Sequence, residues 1–131
     1  MLKLVIEESL KTNNIFSNYI RMEVINSNGE VVGGLFRGLK QLLDDLWESD
    51  DPMYDDLNEP LSRLEYITPY PDGLDSKGAK FAYTKEFYQD NIEEFKDIEY
   101  VLSELGWDIV TIEVNDVNEI LYKDDVQIAY L

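Results

Sequence analysis

Residues 84–105 carry the strongest periodic pattern in the chain. Apolar side chains recur there at steps of three and four, the spacing of a helix with one buried face. The apolar positions are Phe87, Tyr88, Ile92, Phe95, Ile98, Val101, Leu102 and Leu105, with Asn91 as the interruption. Thr84 is placed to cap the start, and Gly106 to cap the end in a left-handed conformation. The pattern predicts one amphipathic helix over residues 84–105.

A second helix is predicted over residues 35–48, directly after the break that Gly33 and Gly34 introduce. Leucines recur along one side of this segment at helical spacing. Its two bases, Arg37 and Lys40, come early, and its three acids come late. This order opposes the helix dipole, at a cost of roughly a few tenths of a kcal/mol per charge. Stability alone would not favour it.

Short segments of alternating polarity predict strands in both terminal parts of the chain. They fall at residues 2–8, 19–25 and 30–33, and at 109–114, 119–122 and 126–130. Asn28-Gly29 predicts a hairpin with a type I′ turn. Residues 49–60, which hold two prolines, predict a loop with at most one helical turn. Residues 62–68 predict a short helix or an edge strand, and residues 70–78 a run of turns.

Together these elements predict a single α+β domain over residues 1–131. Its sheet is mostly antiparallel and combines the N-terminal strands with a C-terminal β-meander. Two main helices, at residues 35–48 and 84–105, pack on that sheet.

The composition narrows the possible functions. The chain has neither His nor Cys, which removes the commonest general base, the thiol nucleophile and the commonest transition-metal ligands. Glu7 and Glu8 interrupt the first apolar run, and no run approaches the roughly 20 residues that span a bilayer. We therefore expect a cytoplasmic protein that is not an enzyme, with no catalytic residues, no metal ligands and no cofactor.

Two motifs come close to a metal site and are set aside. Pro71-Asp72 and Asp75-Ser76-Lys77 resemble the string of metal-dependent nucleases, but both pieces share one turn-rich loop instead of neighbouring strands. The acidic run at residues 50–56 lacks the spacing and the central glycine of an EF-hand loop. With 28 acidic residues, closeness of two carboxylates in the sequence carries no information about catalysis.

The negative charge is gathered into blocks. The net charge is −17; residues 44–59 hold eight acids and no base, and residues 84–105 hold seven acids and two bases. Residues 1–43, by contrast, hold four acids and five bases. Such a surface repels nucleic acids and anionic membranes and attracts basic partners. Because solubility alone gives no reason to spare the first third of the chain, the distribution indicates a functional role.

The acidic blocks contain the candidate partner-binding residues. In a continuous helix, Glu86, Asp90 and Glu94 would place a charge about every 6 Å, close to alternate phosphates of a DNA strand. Within residues 44–59 the acids are interleaved with Trp47, Met53, Tyr54 and Leu57, a mixture of aromatic and charged residues typical of interfaces. The candidate partner-binding residues are Asp44, Asp45, Glu48, Asp50, Asp51, Tyr54, Asp55, Asp56, Glu86, Asp90, Glu93, Glu94 and Asp97.

The acidic blocks at residues 44–59 and 86–97, in a small chain without cysteine, resemble one functional class. These are the small acidic inhibitors of phages and mobile elements that imitate DNA, such as anti-CRISPR and antirestriction proteins. The resemblance implies a non-enzymatic inhibitor whose carboxylates occupy a basic nucleic-acid channel of a partner. The implied partner is a Cas effector, a restriction enzyme or another nucleic-acid-binding enzyme.

Three other interpretations remain open from the sequence. An immunity protein that neutralises a basic toxin, often a nuclease, would use the same electrostatics. A metal-dependent enzyme would need carboxylates that converge in a pocket. An acidic soluble host protein would have no basic partner at all. Partner identity, oligomeric state and strand order are not predicted.

Overall fold

The fold is a mixed β-sheet with helices packed against it, and it confirms the predicted α+β class. The computed structural model describes residues 19–69, 73–74, 78–114, 117 and 119–131, and the backbone of residues 2–5. The strands are β1 (Leu2–Val5), β2 (Tyr19–Ile25), β3 (Val31–Gly33), β4 (Lys80–Thr84), β5 (Asp108–Val114), β6 (Ile120–Lys123) and β7 (Gln127–Tyr130). The helices are α1 (Leu35–Glu48), α2 (Met53–Tyr66), α3 (Lys85–Asp90) and α4 (Ile92–Leu105).

The sheet has β2 near its centre. The strand order is β1–β5–β2–β4–β7–β6, and β3 also pairs with β2. Among the described strands, β1 and β5 pair in parallel and every other pairing is antiparallel. The three strands predicted as one meander lie in two parts of the sheet. Strands β6 and β7 form a hairpin, but β5 pairs with β1 and β2. The seven residues of β5 match the whole length of β2, and this long-range pairing separates β5 from β6.

The predicted β2–β3 hairpin is confirmed, although its turn differs from the expected type. Of its two central residues, Gly29 has a positive φ of 82° and Asn28 does not. The Asn26 side chain accepts hydrogen bonds from the N–H groups of Asn28 and Glu30, both at 2.9 Å. Gly29 donates to the Asn26 carbonyl at 2.9 Å. The result is a longer loop that ends in one left-handed glycine, instead of a type I′ turn.

Helix α1 has the predicted bounds, whereas α2 replaces the predicted loop at residues 49–60. Pro60 lies inside α2, where it removes one backbone hydrogen bond. Leu57, Leu61 and Leu64 are buried at helical spacing in the core shared with α1 and α4. Their burial outweighs the cost of the proline, so the prediction of a loop was wrong. The second prediction, of a short helix or edge strand at residues 62–68, is resolved in favour of helix up to Tyr66.

The predicted helix at residues 84–105 is two helices that meet at Asn91. There the backbone turns to φ −118° and ψ 28°, and the Asn91 side chain donates to the carbonyl of Phe87 at 2.9 Å. Asparagine offers the backbone this local alternative to a continuous helix. Both predicted caps are confirmed: Thr84 accepts from the N–H of Phe87 at 2.9 Å, and Gly106 has a φ of 77°.

The principal core lies between the helices and one face of the sheet. Alternate residues of β2, namely Ile20, Met22 and Val24, meet the apolar sides of α1, α2 and α4 there. A smaller cluster on the opposite face consists of Ala82, Val114, Ile128 and Tyr130. None of the described helices is long and apolar enough to cross a membrane.

Some predictions fall outside the described residues. The strand predicted at residues 2–8 is described only at 2–5, as β1. Residues 70–72 and 75–77, which hold the nuclease-like string, are also outside. The predicted turns in this segment are supported at Gly73 and Gly78, whose φ values are 81° and 73°.

The turn between β6 and β7 is organised by Asp124. Its carboxylate accepts hydrogen bonds from the N–H groups of Val126 (2.8 Å) and Gln127 (3.0 Å), from the Gln127 amide and from the Tyr122 hydroxyl. Gln127 also donates to the carbonyl of Pro69, which ties this turn to the end of α2. Burial alone would raise the pKa of Asp124, but the hydrogen bonds outweigh it and hold that pKa below its ordinary value.

Replacing Asp124 with Ala is expected to lower the free energy of unfolding by about 1–2 kcal/mol, because several donors lose their acceptor. Since the folded pKa is lowered, the carboxylate stabilises fully above its unfolded pKa. This stabilisation is lost as the pH falls through the folded pKa. Urea unfolding should therefore show a larger difference between wild type and variant at pH 7 than at pH 3.

The control is Asp125→Ala, because Asp125 is the next residue in the chain and is exposed. This substitution should lower the free energy of unfolding by less than about 0.5 kcal/mol. Equal losses in the two variants would contradict this account.

Candidate partner-binding surface

All thirteen candidate residues lie in helices or in the short connection between α1 and α2. Ten of them are exposed, and Asp51, Tyr54 and Glu94 are half-buried. The acidic side chains therefore line the outside of the helical layer. Among the described residues, no group of three or more acids is arranged to hold a metal ion.

The candidates form two surfaces. The α1–α2 surface consists of Asp44, Asp45, Glu48, Asp50, Asp51, Tyr54, Asp55 and Asp56, at the end of α1 and the start of α2. The α3–α4 surface consists of Glu86, Asp90, Glu93, Glu94 and Asp97.

Arg63 connects the end of α2 to the α3–α4 surface. It lies near the end of α2 and reaches α4, with Nε 3.4 Å from Glu94 and Nη2 3.9 Å from Asp97. The end of α2 thus lies beside the start of α4, and the start of α2 lies at the other end of the helix. Along the 14 residues of α2 this is about 20 Å. The two surfaces therefore lie toward opposite ends of α2, and Arg63 pairs with acids of the α3–α4 surface.

The regular row predicted for Glu86, Asp90 and Glu94 is wrong. The first two residues belong to α3 and the third to α4, and the backbone departs from helical geometry at Asn91 between them. The expected spacing of about 6 Å required one continuous helix. Within α4, Glu93 and Asp97 keep the spacing of i and i+4.

Most acids of the α3–α4 surface occupy positions where they stabilise their own helix. Glu86 lies in the first turn of α3, and Glu93 and Glu94 lie in the first turn of α4. Acidic residues are favoured at these helix starts by the helix dipole. The ion pairs of Glu94 and Asp97 with Arg63 are further local interactions, although weak ones because the Arg63 side chain is exposed.

Several acids at the start of α2 likewise stabilise the helix to which they belong. Asp55 and Asp56 lie in its first turn. The Asp51 carboxylate accepts the N–H of Met53 at 2.9 Å, which satisfies a donor at the helix start.

The end of α1 is different, because its acids oppose the helix. Asp44, Asp45 and Glu48 occupy its last turns, where cations are favoured, and no base lies in the last turn. The helix then ends in a Schellman-type motif. The backbone N–H of Asp50 donates to the Trp47 carbonyl at 3.1 Å, and the backbone N–H of Asp51 donates to the Leu46 carbonyl at 2.9 Å.

This motif puts Asp50 in a left-handed conformation, with a φ of 56°, the only positive φ of a non-glycine residue in the described part of the chain. Glycine is the usual residue at that position, since a side chain costs energy there. The sequence thus places a fourth acid at this end of α1 where a different residue would be more stable.

Asp50→Gly is expected to raise the free energy of unfolding by about 0.5–1 kcal/mol, because glycine adopts the left-handed conformation without a steric penalty. Urea unfolding measures the change. The control is Asp45→Gly, within regular α1, which removes the same charge without relieving a left-handed backbone and should change stability by less than about 0.5 kcal/mol. A loss of stability in Asp50→Gly would show that the aspartate is needed for the helix end.

Trp47 projects from the middle of this acidic helix end. Its side chain is 69% exposed, which is unusual for so large an apolar residue. One side of it contacts Tyr54 of α2, with the ring centroids 5.0 Å apart and the planes tilted by 58°. The pair lies where α1 meets α2, and acids of the α1–α2 surface flank both residues in the sequence. Such a mixture matches the aromatic anchor and charged rim of protein interfaces.

Comparisons with protein-family models, curated proteins and solved structures each gave no match. The functional argument therefore depends on the geometry of the α1–α2 surface. Two of its features were not predicted from the sequence: the exposure of Trp47 and the left-handed Asp50. The three late acids of α1 were the signal that pointed to this end of the helix.

Proposed function

We propose that this protein is a non-enzymatic inhibitor that binds a basic, nucleic-acid-binding surface of a partner protein through the α1–α2 surface. The observation that carries the proposal is the exposed Trp47, in contact with Tyr54 and accompanied in the last turns of α1 by acids that the helix would be more stable without. Residues that lower stability are commonly retained for binding.

The proposed mechanism is competition with nucleic acid. Carboxylates at the end of α1 would take the place of phosphates on the basic surface of the partner. The net charge of −17 would speed association with such a surface, and this acceleration would fall as salt rises. The Trp47–Tyr54 pair would slow dissociation, because a buried aromatic anchor acts mainly on the dissociation rate.

The α3–α4 surface has a lesser role in this proposal. Its acids lie where helix starts favour them, and two of them pair with Arg63. They add to the long-range field that steers association without forming the contact itself.

Affinity capture from the native host tests the proposal. Three baits are used: the wild type; Asp44→Asn/Glu48→Gln/Asp50→Asn; and Glu86→Gln/Asp90→Asn/Glu93→Gln, which makes the same change in net charge on the α3–α4 surface. We expect the wild type and the α3–α4 variant to retain a nucleic-acid-binding protein that added DNA or RNA displaces. The α1–α2 variant should not retain it.

Two results would count against the proposal. Equal capture by all three baits would mean that the α1–α2 surface is not the contact. Capture of a partner that nucleic acid does not displace would mean that the protein does not compete for a nucleic-acid site. In the second case an immunity protein directed at another face of a basic toxin becomes the better interpretation.

A further inference from the structure

The sheet divides next to β2 and leaves a cavity. On the side of β2 opposite β5, pairing with β4 ends at Ile20–Tyr83, and pairing with β3 begins at Val24–Gly33. Residues 21–23 of β2 lie between these two strands without pairing to either. A cavity of about 370 Å³ opens there, bordered by β3, the start of α1 and the start of β4. Its volume falls in the range of about 300–1,000 Å³ that is typical of small-molecule sites.

The charge of this cavity is opposite to that of the molecule. Arg21, Arg37 and Lys80 line it, and Glu23 is the one acid among the described residues of its lining. The chain as a whole has 28 acids and 11 bases, so a surplus of bases in one cavity runs against its composition. Glu23 is itself paired with Arg21, at 3.2 Å from Nε. The start of α1 borders the same space, and its dipole adds to the positive potential.

The remaining walls are apolar and partly aromatic. Phe36, Phe81 and Tyr83 line the cavity, and the rings of Phe36 and Tyr83 meet edge to face with centroids 6.3 Å apart. Val31 and Val32 form part of the lining from β3 and are both exposed. Aromatic and aliphatic walls accept a planar ring, and the guanidinium and ammonium groups accept a phosphate.

From this combination we infer that the cavity between β3 and β4 binds a small aromatic phosphate of the size and chemistry of a nucleoside monophosphate. The phosphate would lie toward Arg37 and Lys80, and the base against the aromatic walls. The site is separate from the α1–α2 surface, because the cavity lies at the start of α1 and that surface at its end, about 20 Å away.

Binding of AMP, adenosine and inorganic phosphate to the full chain, measured by NMR titration at low salt, tests the inference. We expect AMP to bind with a Kd of about 1 mM or tighter and to shift the resonances of Gly33, Gly34 and Phe81. Adenosine and phosphate should each bind at least about tenfold more weakly, because each supplies one half of the interactions.

Two double variants test whether Arg37 and Lys80 form the binding site. Arg37→Gln/Lys80→Gln should weaken AMP binding by about tenfold or more, since two charge-assisted contacts are lost. Arg63→Gln/Lys96→Gln makes the same change in net charge on the helices and should leave AMP binding unchanged. Thermal unfolding of each variant identifies any that fail to fold, and Lys80→Gln alone then serves as the test, because Lys80 is exposed.

Three results would overturn the inference. They are the absence of saturable AMP binding, equal binding of AMP and either fragment, and equal loss of affinity in the two double variants. None of these results bears on the α1–α2 surface, whose test uses a protein partner and a different set of variants.

Discussion

Replacing Trp47 with Ala is expected to weaken binding to the captured partner by about 30-fold or more, with little change in stability. Truncation of a central aromatic anchor commonly costs 2 kcal/mol or more of binding free energy, and about 1.4 kcal/mol corresponds to a tenfold change in Kd. The side chain is 69% exposed in the free protein and loses one aromatic contact, with Tyr54. The free energy of unfolding should therefore fall by no more than about 1 kcal/mol.

Calorimetric titration of wild type and variant at one salt concentration measures the difference in Kd. Tyr100→Ala is the matched control, because Tyr100 is an aromatic residue of similar exposure that lies on α4 and is not part of the α1–α2 surface. That variant should bind like the wild type. Equal weakening by both substitutions would mean that Trp47 is not the anchor. Unchanged binding by Trp47→Ala, together with loss of binding in the Asp44/Glu48/Asp50 variant, would leave the acids as the whole contact.

The second large effect concerns the packing of α1 on the sheet. Gly38 lies against Val24 of β2, and a Cβ atom at position 38 would come within 2.7 Å of the Val24 Cβ and 2.8 Å of its Cγ2. Val24 is fully buried and its β-branched side chain has little rotamer freedom, so it has no room to move aside. Gly38→Ala should therefore lower the free energy of unfolding by about 1–3 kcal/mol. This sign is opposite to the gain of about 1 kcal/mol that helix propensity alone predicts.

Gly34→Ser is the control for this prediction. A Cβ atom at position 34 would meet only the Met22 carbonyl, at 3.7 Å. Gly34 is the N-cap of α1, where no side chain now accepts a hydrogen bond. A serine there should raise stability by a few tenths of a kcal/mol, because its hydroxyl caps the helix. Urea unfolding should thus show opposite signs for the two variants. A stabilising Gly38→Ala would mean that α1 sits farther from β2 than this packing implies.

Local patterns predicted the elements whose determinants are local. The leucines of α1 and the caps at Thr84 and Gly106 lie within one or two turns of the groups they affect. Asn28-Gly29 located the hairpin for the same reason.

The incorrect predictions for α2 and for the meander share a different cause, since both depended on contacts that lie far away in sequence. Pro60 was taken as a helix boundary, but α2 is held by leucines that pack against α1 and α4. The meander was expected from chain order, but β5 finds its longest partner in β2. At Asn91 the polar residue was visible within the apolar pattern, and the break there accompanies a local hydrogen bond from its side chain to the Phe87 carbonyl.

The sequence predicted the negative charge of the candidate site but not the arrangement of its side chains. Composition indicated that most acids would be exposed, since so many carboxylates find too few basic partners inside a domain. Composition did not distinguish the acids that stabilise their helices from those that destabilise them. That distinction needs the ends of α1, α2 and α4, and the left-handed Asp50 in particular.

The most direct test of the account compares stability and partner binding in Asp44→Asn/Glu48→Gln/Asp50→Asn. Glu86→Gln/Asp90→Asn/Glu93→Gln provides the control with the same net charge. The account predicts that the first variant unfolds at higher urea than the control and has lost the partner, while the control still binds it. A first variant that is less stable than the control and binds as the wild type does would show that the acids at the end of α1 serve the fold, and would contradict the account.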